Sequence, residues 1–222
     1  MPAASVAKEA QRHGRIYVLA GTNGAGKSSI GGEAFRNAQV EYFNPDEAAR
    51  RIRTAQPQLT QTEVNSAAWH QGRRLLEKAI VDQLNFAFET TLGGETMTGL
   101  LERASEAGSE VRVWYVGLEG VELHIERVRR RFAKGGHDIP EADIRRRYDQ
   151  SRLNLIPLLP KLTELRLYDN SEEGDPDAGH APVPKLLLHW RSGRIVAPRG
   201  FKETPQWAKP IVAAAIKFAG IG

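Results

Sequence analysis

Eight residues near the start of the chain carry the most specific chemistry. Gly21-Thr22-Asn23-Gly24-Ala25-Gly26-Lys27-Ser28 has the spacing G-x-x-x-x-G-K-[ST], a pattern that average residue usage produces by chance in roughly one chain in a hundred of this length. Each position has a physical task. Glycines let backbone N–H groups converge on phosphate oxygens without a Cβ in the way. A helix beginning at Lys27 adds unsatisfied donors and its dipole. Lys27 reaches the β- and γ-phosphates, and the Ser28 hydroxyl is a Mg²⁺ ligand. The motif therefore predicts binding of ATP with Mg²⁺, with Gly21, Asn23, Gly24, Ala25, Gly26, Lys27, Ser28 and Ser29 as nucleotide contacts.

Further candidates lie at the ends of apolar runs. Asp46 follows Val40–Phe43 through Asn44-Pro45 and is a candidate base. Its alternative is a plain helix N-cap, since Glu-Ala-Ala-Arg follows. Glu89 and Thr91 end the run Asn85–Glu89 and can hold an acceptor hydroxyl or a metal-bound water; their alternative is capping of the next helix. No strand is followed by a Walker-B aspartate except Leu165–Asp169, far along the chain, which turns the reading away from switches and motors.

The elements that must position these groups follow from periodicity. Arg15–Ala20 is a buried strand running into the glycine loop, and a helix from Lys27 fades by about Asn37. Asp46–Thr54 and Thr60–Asp82 are helical. Glu95–Ala107 is a helix, Val111–Leu118 the clearest strand, Val121–Lys134 and Glu141–Leu155 two basic helices, the second losing regularity by Pro157. Leu165–Tyr168 is a strand, Glu172–Pro184 an exposed polar loop, Lys185–Trp190 with Arg194–Pro198 a hairpin, and Pro205–Ala219 a closing helix. Strands alternating with helices predict one α/β domain, a three-layer sandwich of P-loop kinase type around a mostly parallel sheet.

The two basic helices carry the chain's charge asymmetry. Arg127–Arg152 holds nine Lys/Arg against four acids, and the rest of the chain holds 22 Lys+Arg against 23 Asp+Glu. The overall charge of +4 is thus one element. Joined by Gly135-Gly136-His137, the pair has the form of a lid closing on phosphates, for which guanidinium groups are well suited. His137 is either an acid/base group or an exposed loop residue.

The ordered set of P-loop, Asn-Pro-Asp46, Glu89-Thr-Thr91, Arg127-Val-x-x-Arg131, Gly-Gly-His137, Ile144-Arg-Arg-Arg-Tyr148 and Tyr168-Asp-Asn-Ser171 resembles the zeta toxin-like P-loop kinases from about Arg15 to Ser171. A weaker echo lies in Pro205-Gln-Trp207. Such kinases phosphorylate a hydroxyl of UDP-N-acetylglucosamine with ATP and pair with a small antitoxin. The resemblance implies Asp46 as general base, Glu89 and Thr91 on the acceptor, and Arg131 with Arg146 or Arg147 clamping phosphates. It also implies Arg127 near the substrate and Asn170 near the adenine. The loop reads Gly-Thr-Asn-Gly, as in the shorter chromosomal members, which need not be toxins.

Composition closes off other classes. With no cysteine among 222 residues, disulfide frameworks, thiolate zinc sites and thiol nucleophiles are excluded, and a reducing cytoplasm is the expected setting. Met1–Gly14 has no apolar signal-peptide core, and no run approaches the ~18 apolar residues of a membrane span. The preferred reading is a kinase acting on a small-molecule hydroxyl, such as that of a UDP-amino sugar. Two others stand beside it: a polynucleotide 5′-hydroxyl kinase, and a non-catalytic nucleotide-dependent module docking an acidic partner. Nucleic acid is the less favoured partner, and no membrane partner is expected.

Overall fold

A computed structural model describes residues 13–27, 30, 40–136, 138–172 and 183–221. Seven strands form one sheet: β1 (Arg15–Ala20), β2 (Glu41–Phe43), β3 (Phe86–Thr90), β4 (Glu110–Gly117), β5 (Glu164–Asp169), β6 (Lys185–Arg191) and β7 (Arg194–Ala197). Their order is β2-β3-β1-β4-β5-β6-β7. The first five strands pair in parallel and the hairpin β6–β7 adds an antiparallel edge. The register aligns Phe43 with Phe88, Ala20 with Thr90 and Tyr115, and Gly117 with Asp169. The carboxyl ends of all five parallel strands therefore share one edge, where ligands of open α/β sheets bind.

Among the described residues six helices are bounded at both ends: α1 (Pro45–Ala55), α2 (Gln61–Val81), α3 (Glu95–Glu106), α4 (Val121–Ala133), α5 (Glu141–Leu158) and α6 (Lys209–Phe218). Of the helix expected from Lys27, only Lys27 and Ile30 are described, and both are helical. The start signals are local. Asn44 caps α1, with its side chain accepting from Asp46 N and Glu47 N and Pro45 in the first turn. Thr60 and Glu63 form a reciprocal capping box on α2.

Two predicted boundaries move. α5 was expected to lose regularity by Pro157, yet it continues to Leu158. Leu155 and Leu158 are wholly buried there, and that burial outweighs the local penalty of about 3 kcal/mol for proline in a helix. The single closing helix is instead a 3₁₀ turn at Gln206–Ala208 followed by α6. Pro210 has no N–H to donate backwards, so it sits in the first turn of a new helix.

Described core residues lie on both faces of the sheet. Ile16, Val18 and Ala20 of β1 join a large core with α2, α3, α5 and α6. On the opposite face, among the described residues, Leu19, Ala87, Val116 and Ala25 form a cluster against which Tyr17, Ile30 and Trp114 pack. A third cluster, Ile125, Val128, Ile139 and Ile144, joins α4 to the start of α5. The predicted lid thus has its own small core, while the second half of α5 is anchored in the main one.

Candidate active site

β1 delivers the chain into the glycine loop, where Gly21, Gly24 and Gly26 have φ of +137°, +83° and +83°. At Gly21 a Cβ would lie 2.1 Å from the Val116 carbonyl oxygen, so no other residue fits. Lys27 folds back over the loop, its Nζ donating to the Gly21 carbonyl at 2.9 Å. Burial lowers the Lys27 pKa, and the nearby Glu89 and Asp46 carboxylates work against that shift.

Three distant side chains hold the loop from outside. Asn170, buried after β5, donates to the Ala25 carbonyl at 2.9 Å. Arg147 of α5 donates to Asn23 Oδ1 at 2.9 Å. His124 of α4 meets the Asn23 carbonyl through Nδ1 at 2.8 Å. Burial, with Lys27, Arg127 and Arg152 adding to it, brings the His124 pKa down to about 4 against the pull of that hydrogen bond. The ring is neutral at pH 7, and because its partner is a carbonyl, Nδ1 carries the proton.

On the other side of Lys27 lies a second set. Asn44 spends its Oδ1 on the α1 cap, and its Nδ2 donates to Glu89 Oε1 at 3.2 Å. Tyr42 donates its hydroxyl to the same Glu89 oxygen, and burial beside Glu89 drives the Tyr42 pKa upward. Asp46 is therefore not the N-cap that its sequence context allowed: Asn44 does that work two residues earlier. The Asp46 carboxylate meets Arg131 at 3.4 Å, with both side chains nearly half exposed.

Several of these groups line one cleft of about 340 Å³, though Tyr42, His124 and Asn170 do not. It brings together Asn23, Gly24, Lys27, Asp46, Glu89, Thr91, Arg131 and Arg147 of the predicted site residues. Arg146 does not line it. One helical position from Arg147, its guanidinium turns to Asp143 at 2.8 Å and stays largely exposed. Arg127 lies outside as well, lining with Arg50, Arg130, Arg131 and Lys134 an open basic concavity of about 480 Å³ that shares Arg131 with the cleft. Asn170, expected near the adenine, lies against the loop itself: its Nδ2 would be 2.4 Å from a Cβ at Gly26. Ser28, Ser29 and His137 lie outside the described residues. Sequence reasoning missed Tyr42, Asn44 and His124. Only Asn44 had a readable signal, being an Asn before a proline and an acidic first turn.

A strand feeding a glycine loop that opens a helix, with the carboxyl edge of a parallel sheet around it, defines a P-loop kinase-type fold. A sequence model of the zeta toxin family matches residues 3–158, and the chain belongs to that family. An uncharacterized protein of Haemophilus influenzae is 31% identical over 129 residues, 58% of this chain and 88% of that protein. Among solved structures, a chain of the AvrRxo1-ORF1:AvrRxo1-ORF2 complex with sulphate ions superposes with a TM-score of 0.66 at 14% identity, over 90% of this chain and 64% of that one. The same complex with ATP gives 0.64 at 14% identity, over 92% and 64%. This chain thus spans under two thirds of those chains' length. The PezAT chromosomal toxin-antitoxin system of Streptococcus pneumoniae gives 0.58 at 16% identity, over 97% of this chain and 90% of that one. At such identities these likenesses speak for the fold.

Proposed function

We propose that the protein is an ATP- and Mg²⁺-dependent phosphotransferase acting on a hydroxyl of a small molecule. The observation that carries this is the convergence of Lys27, Asp46, Glu89, Arg131 and Arg147 on one cleft at the carboxyl edge of the sheet. The loop glycines and Lys27 hold the β- and γ-phosphates. Asp46 takes the proton of the acceptor hydroxyl as its oxygen attacks the γ-phosphorus, and the bond from that phosphorus to the ADP oxygen breaks. Arg131, paired with Asp46 in the described state, exchanges the carboxylate for γ-phosphate oxygens. Glu89, fixed by Tyr42 and Asn44, orients the acceptor with Thr91.

Bound Mg²⁺ supplies charge neutralisation on the phosphates. The motif assigns it Ser28. A UDP-amino sugar is the first acceptor to try, on the family resemblance. Family membership, and the assembly of the PezAT and AvrRxo1 proteins with partners, support a small antitoxin as the binding partner. No described helix is long and apolar enough to cross a membrane, and a cytoplasmic setting agrees with the absence of cysteine.

The test is acceptor-dependent ADP release, followed with a UDP-amino sugar and with a metabolite extract. Asp46→Asn lowers transfer by about 10²-fold or more, the scale of general-base removal, while ATP still binds; Lys27→Ala loses both. Transfer unchanged in Asp46→Asn would overturn the role given to Asp46.

A further inference from the structure

The cleft has two chemically different ends. Among the described residues, the seven charged ones lining it (Lys27, Asp46, Glu89, Arg131, Asp138, Asp143 and Arg147) come from the glycine loop, α1, β3, α4, α5 and the α4–α5 connection. None comes from α2 or α3. Those helices contribute Asn65, Ala68, Trp69 and Gly72, then Thr96 and Met97. Asn65, Ala68, Trp69 and Gly72 stand at i, i+3, i+4 and i+7, one face of α2.

Trp69 dominates this end. An indole that faces the main cleft and stays 39% exposed gives up burial that a tryptophan ordinarily finds. Two neighbours on α2 touch the ring. The His70 ring meets it edge-on at 4.9 Å, and the Arg73 guanidinium lies 6.0 Å from its centroid. One turn further on, Gly72 is buried, and a Cβ there would be 2.6 Å from the Phe43 ring. The Phe43 ring takes the place a side chain at 72 would need, and both residues line the cleft with the indole. The wall is uncharged, carries the Trp69 ring and lines the same cleft as Asp46.

We propose that Trp69 is the platform for an uncharged planar ring of the acceptor, the part remote from the hydroxyl that Asp46 deprotonates. The proposal rests on the kinase reading and adds the acceptor's chemical class. The residues of α2 and α3 that line the cleft carry no charge, and the neighbouring Arg73 is already paired with Glu77 at 2.9 Å; a charged ring meets no unspent counter-charge there, whereas a neutral ring gains stacking and burial.

Matched probes test it: phenyl against methyl β-D-glucopyranoside, and uridine against methyl β-D-ribofuranoside, each pair differing only in the ring. Binding is measured by ligand-observed NMR and tryptophan quenching, with β,γ-methylene-ATP present so that the nucleotide site does not bind the probes. At least one ring-bearing probe is expected to bind about tenfold tighter than its twin, within the range of base–aromatic stacking, and to quench emission that Trp69→Phe lacks. Trp69→Ala abolishes the preference and Trp69→Phe retains part of it. The uridine and phenyl arms separate a heterocyclic from an aryl ring. A lack of preference for either ring-bearing probe, or a preference that survives in Trp69→Ala, overturns the proposal. Its failure is distinguishable from failure of the kinase reading. Ring binding without phosphoryl transfer would count against the kinase alone, and transfer unaffected by Trp69→Ala would count against the ring site alone.

Discussion

The glycine loop and the Asp46–Arg131 pair lie on either side of Lys27, yet they are built differently. The loop is fixed by its own glycine geometry and by side chains from α4, α5 and the segment after β5, separated from it by more than 100 residues in sequence. The Asp46–Arg131 salt bridge joins half-exposed side chains, and pairs of that kind contribute about 0–1 kcal/mol. Rigidity is concentrated where phosphates would be gripped, and freedom where charge would have to move. A loop that must present several N–H groups at once gains from preorganisation. In the role proposed for Asp46, a base that exchanges an arginine for a substrate gains from a weak partner.

The largest expected effect breaks the rigid side. Gly21→Ala places a Cβ 2.1 Å from a backbone oxygen at a φ of +137°, and backbone cannot swing aside as a flexible side chain does. We expect a stability loss of roughly 2–4 kcal/mol, the range for strained backbone and core clashes, with ATP binding lost. A denaturant melt and a nucleotide titration check both. A wild-type melt with intact ATP affinity would show that the loop is not pinned as described.

Next comes His124. Its folded pKa of about 4 lies below the ordinary 6.5, so between those values the unfolded chain binds more protons than the folded one. The His124 contribution is complete above pH 6.5 and is lost as pH falls towards 4, by up to about 3 kcal/mol at the full shift. Melts from pH 7.5 to 4 should show this slope, and His124→Gln should flatten it. An unchanged slope in that variant would mean that other groups carry the pH dependence.

The third effect is a contrast between neighbours. Arg147→Ala removes a charge-assisted hydrogen bond to Asn23, a contact of about 1.5–3 kcal/mol, and should weaken ATP binding by roughly tenfold. Arg146→Ala removes an exposed pair with Asp143 and should change affinity less than about twofold. Calorimetric titration of both variants decides whether the structure has chosen the right arginine.

That choice marks the limit of what the sequence could disclose. The glycine loop was legible because all its requirements lie within eight consecutive residues, and β1, β3, β4 and β5 because short apolar runs between helices of 10 or more residues admit few readings. A run of three arginines, Arg145-Arg146-Arg147, has no such internal reference: which one faces the cleft depends on the helix phase set by Ile144, Ser151 and Leu155 in the core. Asp46 and Asn44 compete as caps two residues apart, and only the Asn44 bond to Glu89, from a strand 45 residues away, accompanies the choice. His124 gave no local sign at all, since its partner is a carbonyl 101 residues distant.

The smallest effect on stability falls on the flexible side and separates stability from activity. Arg131→Ala removes the exposed pair with Asp46, so its melt should lie within about 0.5 kcal/mol of wild type. If Arg131 also takes the γ-phosphate during transfer, the same variant loses about 10²-fold or more in transfer, comparable with removing a cation from a phosphoryl clamp. A near-silent melt with a large rate defect is the signature of a residue held loosely so that it can change partners. A melt as damaged as that of Gly21→Ala would instead place Arg131 with the rigid loop, and the contrast between the two sides of Lys27 would be lost.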